Sequence, residues 1–297
     1  WQVVRPGVEE PDRELKQALE KLVSTDMALR LHPDASSGRL LLAGTSEGHL
    51  ALSVERLRDR YGLRVLTDLP QVGYREMPSA AVTDVSGVHR REDGDGLVEE
   101  FGACSIDVRP MKAGGETRFI DEVEDAEDLP PDFRPAIDEG VRNAMRHGPT
   151  AGYPVIGVDV RLRGGQYDIF QSTDEHFRLA GEKALRTALR RSGTRLLEPW
   201  WKIEVSVPSA DVGQVLSDIA SHRGRVIGLQ TEHATATITA LGPYRELRTF
   251  GSRLQEHTGG RGRFTAGESH YEPVPEHLVK QAIADSPFQG DLVRGGK

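Results

Sequence analysis

Cysteine is almost absent. Cys104 stands alone among 297 residues, so no disulfide can close within the chain and a reducing compartment is expected. No run approaches the ~18 apolar residues that span a bilayer, so no membrane partner is expected. The start, Trp1-Gln2-Val3-Val4-Arg5, has neither an initiator Met nor a basic-then-apolar leader, and it reads as a cut inside a longer protein. The ten histidines include no H-x-x-x-H pair and no cluster with cysteine, so metal-ligand spacing is missing. No G-x-x-x-x-G-K-S/T occurs, and no G-x-G-x-x-G opens a helix. The chain therefore shows no phosphate cradle and no expected cofactor of its own. Lys and Arg number 38 against 46 Asp and Glu, a net charge of −8. That balance argues against indiscriminate nucleic-acid binding, which phosphate neutralisation drives, while leaving room for local basic surfaces.

What is present reads as three domains and a tail. Residues 1–77 follow the order strand, helix, strand, strand, helix, strand. Pro11 suits a first helical position. Leu15, Ala18, Leu19 and Leu22 then stripe one helix face, and Leu50, Val54, Leu57 and Tyr61 stripe a second. Residues 199–285 repeat that order, with Ser209 as a helix cap and Pro243 opening a helix through Leu247, Phe250 and Leu254. Both predict a ferredoxin-like split βαβ domain. Between them, 78–198 carries a helix stripe of Phe133, Ile137, Val141 and Ala144. A strand is predicted at 155–162. Ser172-Thr173-Asp174-Glu175 reads as a capping box before a helix reaching Arg191. Residues 116–139 hold ten acids against Arg118 and Arg134, which reads as a solvated face. Residues 286–297 read as a frayed tail.

The candidate chemistry is sparse. Gly44-Thr45-Ser46-Glu47-Gly48 matches the G-x-S-x-G nucleophile elbow. Only 43 residues precede it, too few for the strands that normally come first, and no oxyanion segment is visible. A tight turn explains it better than a hydrolase using Ser46. Gly259-Gly260-Arg261-Gly262-Arg263 is a glycine-rich basic turn in which Arg261 and Arg263 can meet phosphate. Lys183, Arg186, Arg190, Arg191 and Arg195 gather cations on and after one helix.

Several segments together carry a resemblance. Asp68-Leu69-Pro70-Gln71-Val72-Gly73-Tyr74-Arg75-Glu76 is one. Others are Pro135-Ala136-Ile137 with Gly140-Val141-Arg142-Asn143-Ala144-Met145, and Ala151-Gly152-Tyr153-Pro154-Val155. Leu197-Glu198-Pro199, Thr258 to Phe264 and His270-Tyr271-Glu272-Pro273-Val274-Pro275 complete the set. In that order the chain resembles the last three domains of the translation elongation factor G family, over about residues 10–276.

The resemblance implies an α+β protein. Two ferredoxin-like split βαβ domains flank a ribosomal-protein-S5-like α/β domain. It implies a monomeric, cytoplasmic, tRNA-mimicking lever that engages ribosomal RNA and proteins. GTP and Mg²⁺ would sit in N-terminal domains of the parent GTPase, outside this chain, and no catalytic residue is expected here. Glu100, Phe101 and Gly102, with Gly165, Gln166, Tyr167 and Asp168, would form two adjacent ribosome-facing tip loops. Gly44, Glu47 and His49 would form a domain-interface turn. Asp168 stands where the family carries a histidine. The resemblance therefore points to a divergent paralogue with an exposed, unpaired carboxylate that repels phosphate. Replacing it by histidine is then expected to strengthen ribosome engagement. A tetracycline-resistance-type ribosomal protection factor shares the architecture and a Leu-Glu-Pro segment. A stand-alone RNA-binding scaffold is the alternative of another class.

Overall fold

A computed structural model describes residues 2–6, 12–33, 40–44, 47–69, 71–124 and 129–286. Contacts divide them into two compact units. One takes in residues up to Gly73 with Pro199–His270, and the other takes in Tyr74–Glu198 with the residues from Tyr271 on.

The chain opens with β1 (Gln2–Pro6), α1 (Asp12–Thr25), β2 (Arg30–Pro33), β3 (Leu40–Ala43), α2 (Glu47–Tyr61) and β4 (Val65–Asp68). The strands lie in the order β2-β3-β1-β4, and each neighbouring pair is antiparallel. That is the split βαβ order the alternation of elements predicts. Leu15, Leu19 and Leu22 of α1 meet Leu50 and Leu57 of α2 in one core, so both helical stripes point where their period requires. Pro11 and Ser46 lie outside the described residues.

The second unit follows with β5 (Arg75–Pro78), β6 (Val82–Glu92), β7 (Val98–Pro110), β8 (Arg118–Asp121), α3 (Arg134–Ala144), β9 (Val158–Gln166) and α4 (Asp174–Ser192). The sheet order is β6-β7-β9-β8, with β8 parallel to β9. Ile137, Val141 and Ala144 from α3 and Phe177, Leu185 and Ala188 from α4 close its core over Cys104, Ile106 and Val160. The helices approach through glycine. A Cβ on Gly140 would stand 1.9 Å from the Arg178 carbonyl oxygen, and one on Gly181 would stand 2.6 Å from that of Ile137. Burial pushes the Cys104 thiol up to about 12.

Three sequence expectations change here. The predicted strand at 155–162 begins later, at Val158, because the preceding loop wraps around Glu76. The Thr150 and Ala151 N–H groups donate to its carboxylate at 3.0 and 2.8 Å, and the Thr194 hydroxyl donates to the same group. The capping box does not form. Thr173 is the N-cap and makes no side-chain cap bond, and Glu175 pairs with Arg178 instead. The acidic run is not merely solvated. Asp121 pairs with Arg134, Glu122 with Arg161 and Arg163, and Asp138 with Arg142.

Asp107, buried in β7, pairs with Arg163 at 2.7 Å. Its burial opposes ionisation. The Asp84 N–H and the Arg163 guanidinium outweigh that and hold the carboxyl below the ordinary range.

The chain continues through β10 (Thr194–Pro208), α5 (Val212–Ser221), β11 (Arg225–Glu232), β12 (Thr235–Pro243), α6 (Tyr244–Leu247), α7 (Phe250–Thr258), β13 (Arg263–Pro273) and α8 (Glu276–Ala284). The order β11-β12-β10-β13 repeats the topology of the first sheet. Ile203, Val205, Val215, Ile219, Phe250 and Leu254 form its core. Ser209 does not cap a helix; it starts a 3₁₀ turn and its hydroxyl donates to the His233 carbonyl. The helix predicted from Pro243 breaks into α6 and α7. Gly259, in left-handed backbone at φ 56°, ends α7.

Two segments pack elsewhere than the sequence division suggests. Arg75–Pro78 pairs with Thr194–Leu197 inside the second unit. There too, the Tyr153 hydroxyl donates to the Ala282 carbonyl of α8 at 3.0 Å.

Candidate nucleic-acid interface

The two predicted tip segments meet at one end of the β6-β7-β9-β8 sheet. Gln166, the last residue of β9, pairs with Ala103 of β7. The Phe101 N–H donates to the Gln171 carbonyl at 3.1 Å, and the Ser172 hydroxyl donates to the Phe101 carbonyl at 2.9 Å. Neither segment is wholly a loop, since Gly165 and Gln166 end β9. Glu100, Phe101 and Gly102 lie within β7, because alternating side chains keep the hairpin paired as far as Glu92 and Val98. Gly102 sits tightly against α4, where a Cβ would stand 3.0 Å from the His176 backbone. Gly165 is required by close approach, since a Cβ there would clash with the Ala103 carbonyl oxygen.

Asp168 is not the unpaired carboxylate expected from the sequence. Its Oδ1 accepts the Phe170 N–H at 2.8 Å and the Gln171 N–H at 3.2 Å, and its own N–H donates to the Ser172 hydroxyl at 2.8 Å. A short carboxylate placed two residues before free N–H groups caps its own turn. With its amide nitrogen turned toward the carboxylate, Gln171 donates to both oxygens, at 2.9 and 2.7 Å. The turn pushes apolar groups outward: Ile169 is 77 % exposed and Phe170 is 89 % exposed. Tyr167 leans on Phe133, ring centroids 6.4 Å apart.

Behind this turn the fold assembles a cluster that no sequence spacing announced. His89 Nε2 lies 2.7 Å from Glu100 Oε2, and His176 Nε2 lies 3.8 Å from the same oxygen. The two imidazoles stack at 5.2 Å. Arg91 takes the other Glu100 oxygen at 2.6 Å. The His89 hydrogen bond, helped by Arg91 and opposed by desolvation, holds the Glu100 carboxyl below its usual range. The three residues come from β6, β7 and α4, so linear spacing could not reveal them.

Of the remaining predicted residues, Gly44, Glu47, His49, Arg261 and Arg263 belong to the first unit. In the first unit His49 Nε2 meets Asp26 Oδ2 at 2.9 Å. That contact, with the Ala28 N–H, holds the Asp26 carboxyl low. Glu47 opens α2. Gly44 lines a cleft of about 940 Å³ whose other wall includes Gln255, Arg263 and Phe264. Arg261 is occupied: it donates to the Thr258 carbonyl at 2.9 Å and to Asp211 at 3.0 Å. Of the helical cations, Lys183 donates to the Val88 carbonyl at 3.1 Å and Arg186 pairs with Glu182 at 2.7 Å. No helix among the described residues is long and apolar enough to cross a membrane.

Three family models match in chain order. Elongation Factor G, domain III, covers residues 2–68, Elongation factor G, domain IV, covers 70–193, and Elongation factor G C-terminus covers 195–282. The chain belongs to the elongation factor G family. Elongation factor G 2 of Streptomyces coelicolor is 38 % identical over 278 residues, covering 91 % of this chain and 40 % of that protein. Elongation factor G of Aquifex pyrophilus is 32 % identical over 283 residues, covering 95 % and 40 %. A crystal structure of a Thermus thermophilus protein superposes with a TM-score of 0.86 at 31 % identity, covering 97 % of this chain and 43 % of that one. The chain thus spans about 40 % of the length of the curated relatives it matches. It corresponds to the later domains of an elongation-factor-G-like protein, and its α+β architecture is that of the family.

Proposed function

We propose that these domains are the ribosome-engaging lever of a translational GTPase, with the end built from Glu100–Gly102 and Gln166–Asp168 entering the decoding centre. The observation that carries this reading is the unbroken succession of the three family domains over residues 2–282. The tightly tied turn at one end of the middle sheet supports it. A lever must transmit displacement without absorbing it. Here Phe101, Asp168, Gln171 and Ser172 are cross-bonded, which fixes the turn on β7 and on the start of α4.

The chemistry offered to RNA is then aromatic and apolar, with Phe170 and Tyr167 available to stack on bases. The Asp168 carboxylate is spent inside the turn, so phosphate meets it less than a free carboxylate. GTP and Mg²⁺ would bind in other parts of the parent protein, and this chain alone would neither bind nor hydrolyse GTP. Its setting would be the cytoplasm, as a monomer. The carboxylate at the position of the family histidine favours a specialised paralogue over a housekeeping translocase.

The test is co-sedimentation of the chain with purified ribosomes across a salt series, followed by single-round translocation with the full-length parent. Binding should fall with salt. Phe170→Ala should weaken it. Asp168→Ala and Asp168→His should both slow translocation by loosening the turn, a loss of about 1 kcal/mol of local stability. Retention unchanged by salt and by all three substitutions would overturn the reading. A faster Asp168→His variant would restore the view of this carboxylate as a repulsive group.

A further inference from the structure

We propose that His89, Glu100 and His176 bind one transition dication of the zinc class through His89 Nε2, Glu100 Oε2 and His176 Nε2. Among the described residues these three form the one group of His, Cys, Asp and Glu whose ligand atoms all lie within 4.8 Å of one another. The proposal does not depend on ribosome binding.

Two imidazoles and one carboxylate are an established donor set for zinc, leaving a fourth position to water. Bonds of about 2.0–2.2 Å in a tetrahedron place neighbouring donor atoms roughly 3.4 Å apart. The two carboxylate–imidazole separations, 2.7 and 3.8 Å, straddle that value. Shifts of roughly 0.7 and 0.4 Å bring these two separations to that value.

The outer contacts suit the task. A backbone carbonyl can only accept, so the Gln171 oxygen 2.7 Å from His176 Nδ1 fixes the proton there. That leaves Nε2 as a lone pair aimed at the cluster, the arrangement that orients metal-binding histidines. Arg91 holds Glu100 Oε1 and leaves Oε2 as the ligand. The side chains are 15 %, 21 % and 13 % exposed, shielded yet reachable.

Two cations oppose the ion and weaken its binding. One is Arg91. The other is Lys183, whose Nζ lies 3.5 Å from His89 Nδ1. Loading moves the His89 proton from Nε2 to Nδ1 and turns the Lys183 ammonium away. No proton leaves the site. The bound ion would tie β6, β7 and α4 together behind the Asp168 turn.

A second pair of histidines serves as an internal control. His222 and His257 each lie 3.4 Å from Asp218 Oδ1. There the Arg253 guanidinium holds both carboxylate oxygens, at 3.0 and 3.2 Å, and leaves none for a metal.

Calorimetric titration of the full 297-residue chain with Zn²⁺ tests the site, with Co²⁺ absorption as the spectroscopic readout. One equivalent should bind, and Co²⁺ should give the intense visible bands of a tetrahedral site. Losing one outer-shell partner costs roughly 10–100-fold in affinity, and losing a ligand costs no less. His89→Ala, His176→Gln and Glu100→Gln should therefore each weaken Zn²⁺ by at least about tenfold. Each variant should keep its circular dichroism, and His222→Ala should bind like the parent. The proposal is overturned if no saturable equivalent binds, or if folded His176→Gln and Glu100→Gln bind as the parent does.

Discussion

Glu76 and Asp218 are both carboxylates shut away from water, at 0 % and 8 % exposure. Glu76 takes hydrogen bonds from the Thr150 and Ala151 N–H groups and from the Thr194 hydroxyl. Asp218 takes Arg253 at 3.0 Å, with His222 and His257 beside it. The first arrangement specifies backbone: it decides where the loop 148–157 runs and so where β9 begins. The second joins two side chains between α5 and α7, and such a pair is exchangeable in principle for an apolar one. Burial of a charge thus serves chain path in one unit and helix docking in the other.

Four substitutions break or sharpen that contrast. Glu76→Ala should cost the most, about 3 kcal/mol, because it strands buried N–H donors and opens a cavity. Chemical denaturation should show it, and no second substitution should restore it. Asp218→Ala takes the carboxylate from Arg253 and leaves it the Thr249 hydroxyl and the Glu246 carbonyl. Since the Arg253 side chain is 20 % exposed, water offsets part of the loss, and about 2 kcal/mol is expected. The double change Asp218→Leu with Arg253→Met should recover most of it.

Asp107 belongs to the arginine-held kind. Its folded carboxyl is depressed, so its contribution is complete above the unfolded value near about 4 and is lost as pH falls through the folded value. Denaturation midpoints of the parent and Asp107→Asn should differ at neutral pH and converge in acid. Arg261→Ala, at an ion pair whose arginine side chain is 64 % exposed, should change stability by about 0.5 kcal/mol or less.

The helical stripes were legible in sequence because a buried face enforces period. Leu15, Leu19 and Leu22, like Ile137 and Val141, are buried as their spacing requires. The order of elements likewise disclosed both split βαβ sheets. Caps were less legible. Ser172 and Ser209 had the right neighbours, but the Ser172 hydroxyl is taken up by the Asp168 N–H and the Phe101 carbonyl, and the Ser209 hydroxyl turns to the His233 carbonyl. Such competition is tertiary and leaves no local mark. The Asp168 turn depends on the local path of the backbone. A carboxylate beside Phe170 and Gln171 looks free until the chain reverses and brings their N–H groups back to it. The His89, Glu100 and His176 cluster was out of reach, since its members meet only through strand pairing and helix docking. The three family domains themselves emerged from short segments whose order, more than any one of them, was specific.

The depth of Cys104 has a practical consequence. Thiol reagents attack the thiolate, and this thiol is 2 % exposed and held up to about 12. A maleimide dye should leave it untouched under mild conditions. Cysteine placed at Phe170, 89 % exposed at the turn, would then be the single labelling position. Fluorescence from that position could report the turn's surroundings without first removing the native sulfur from the core.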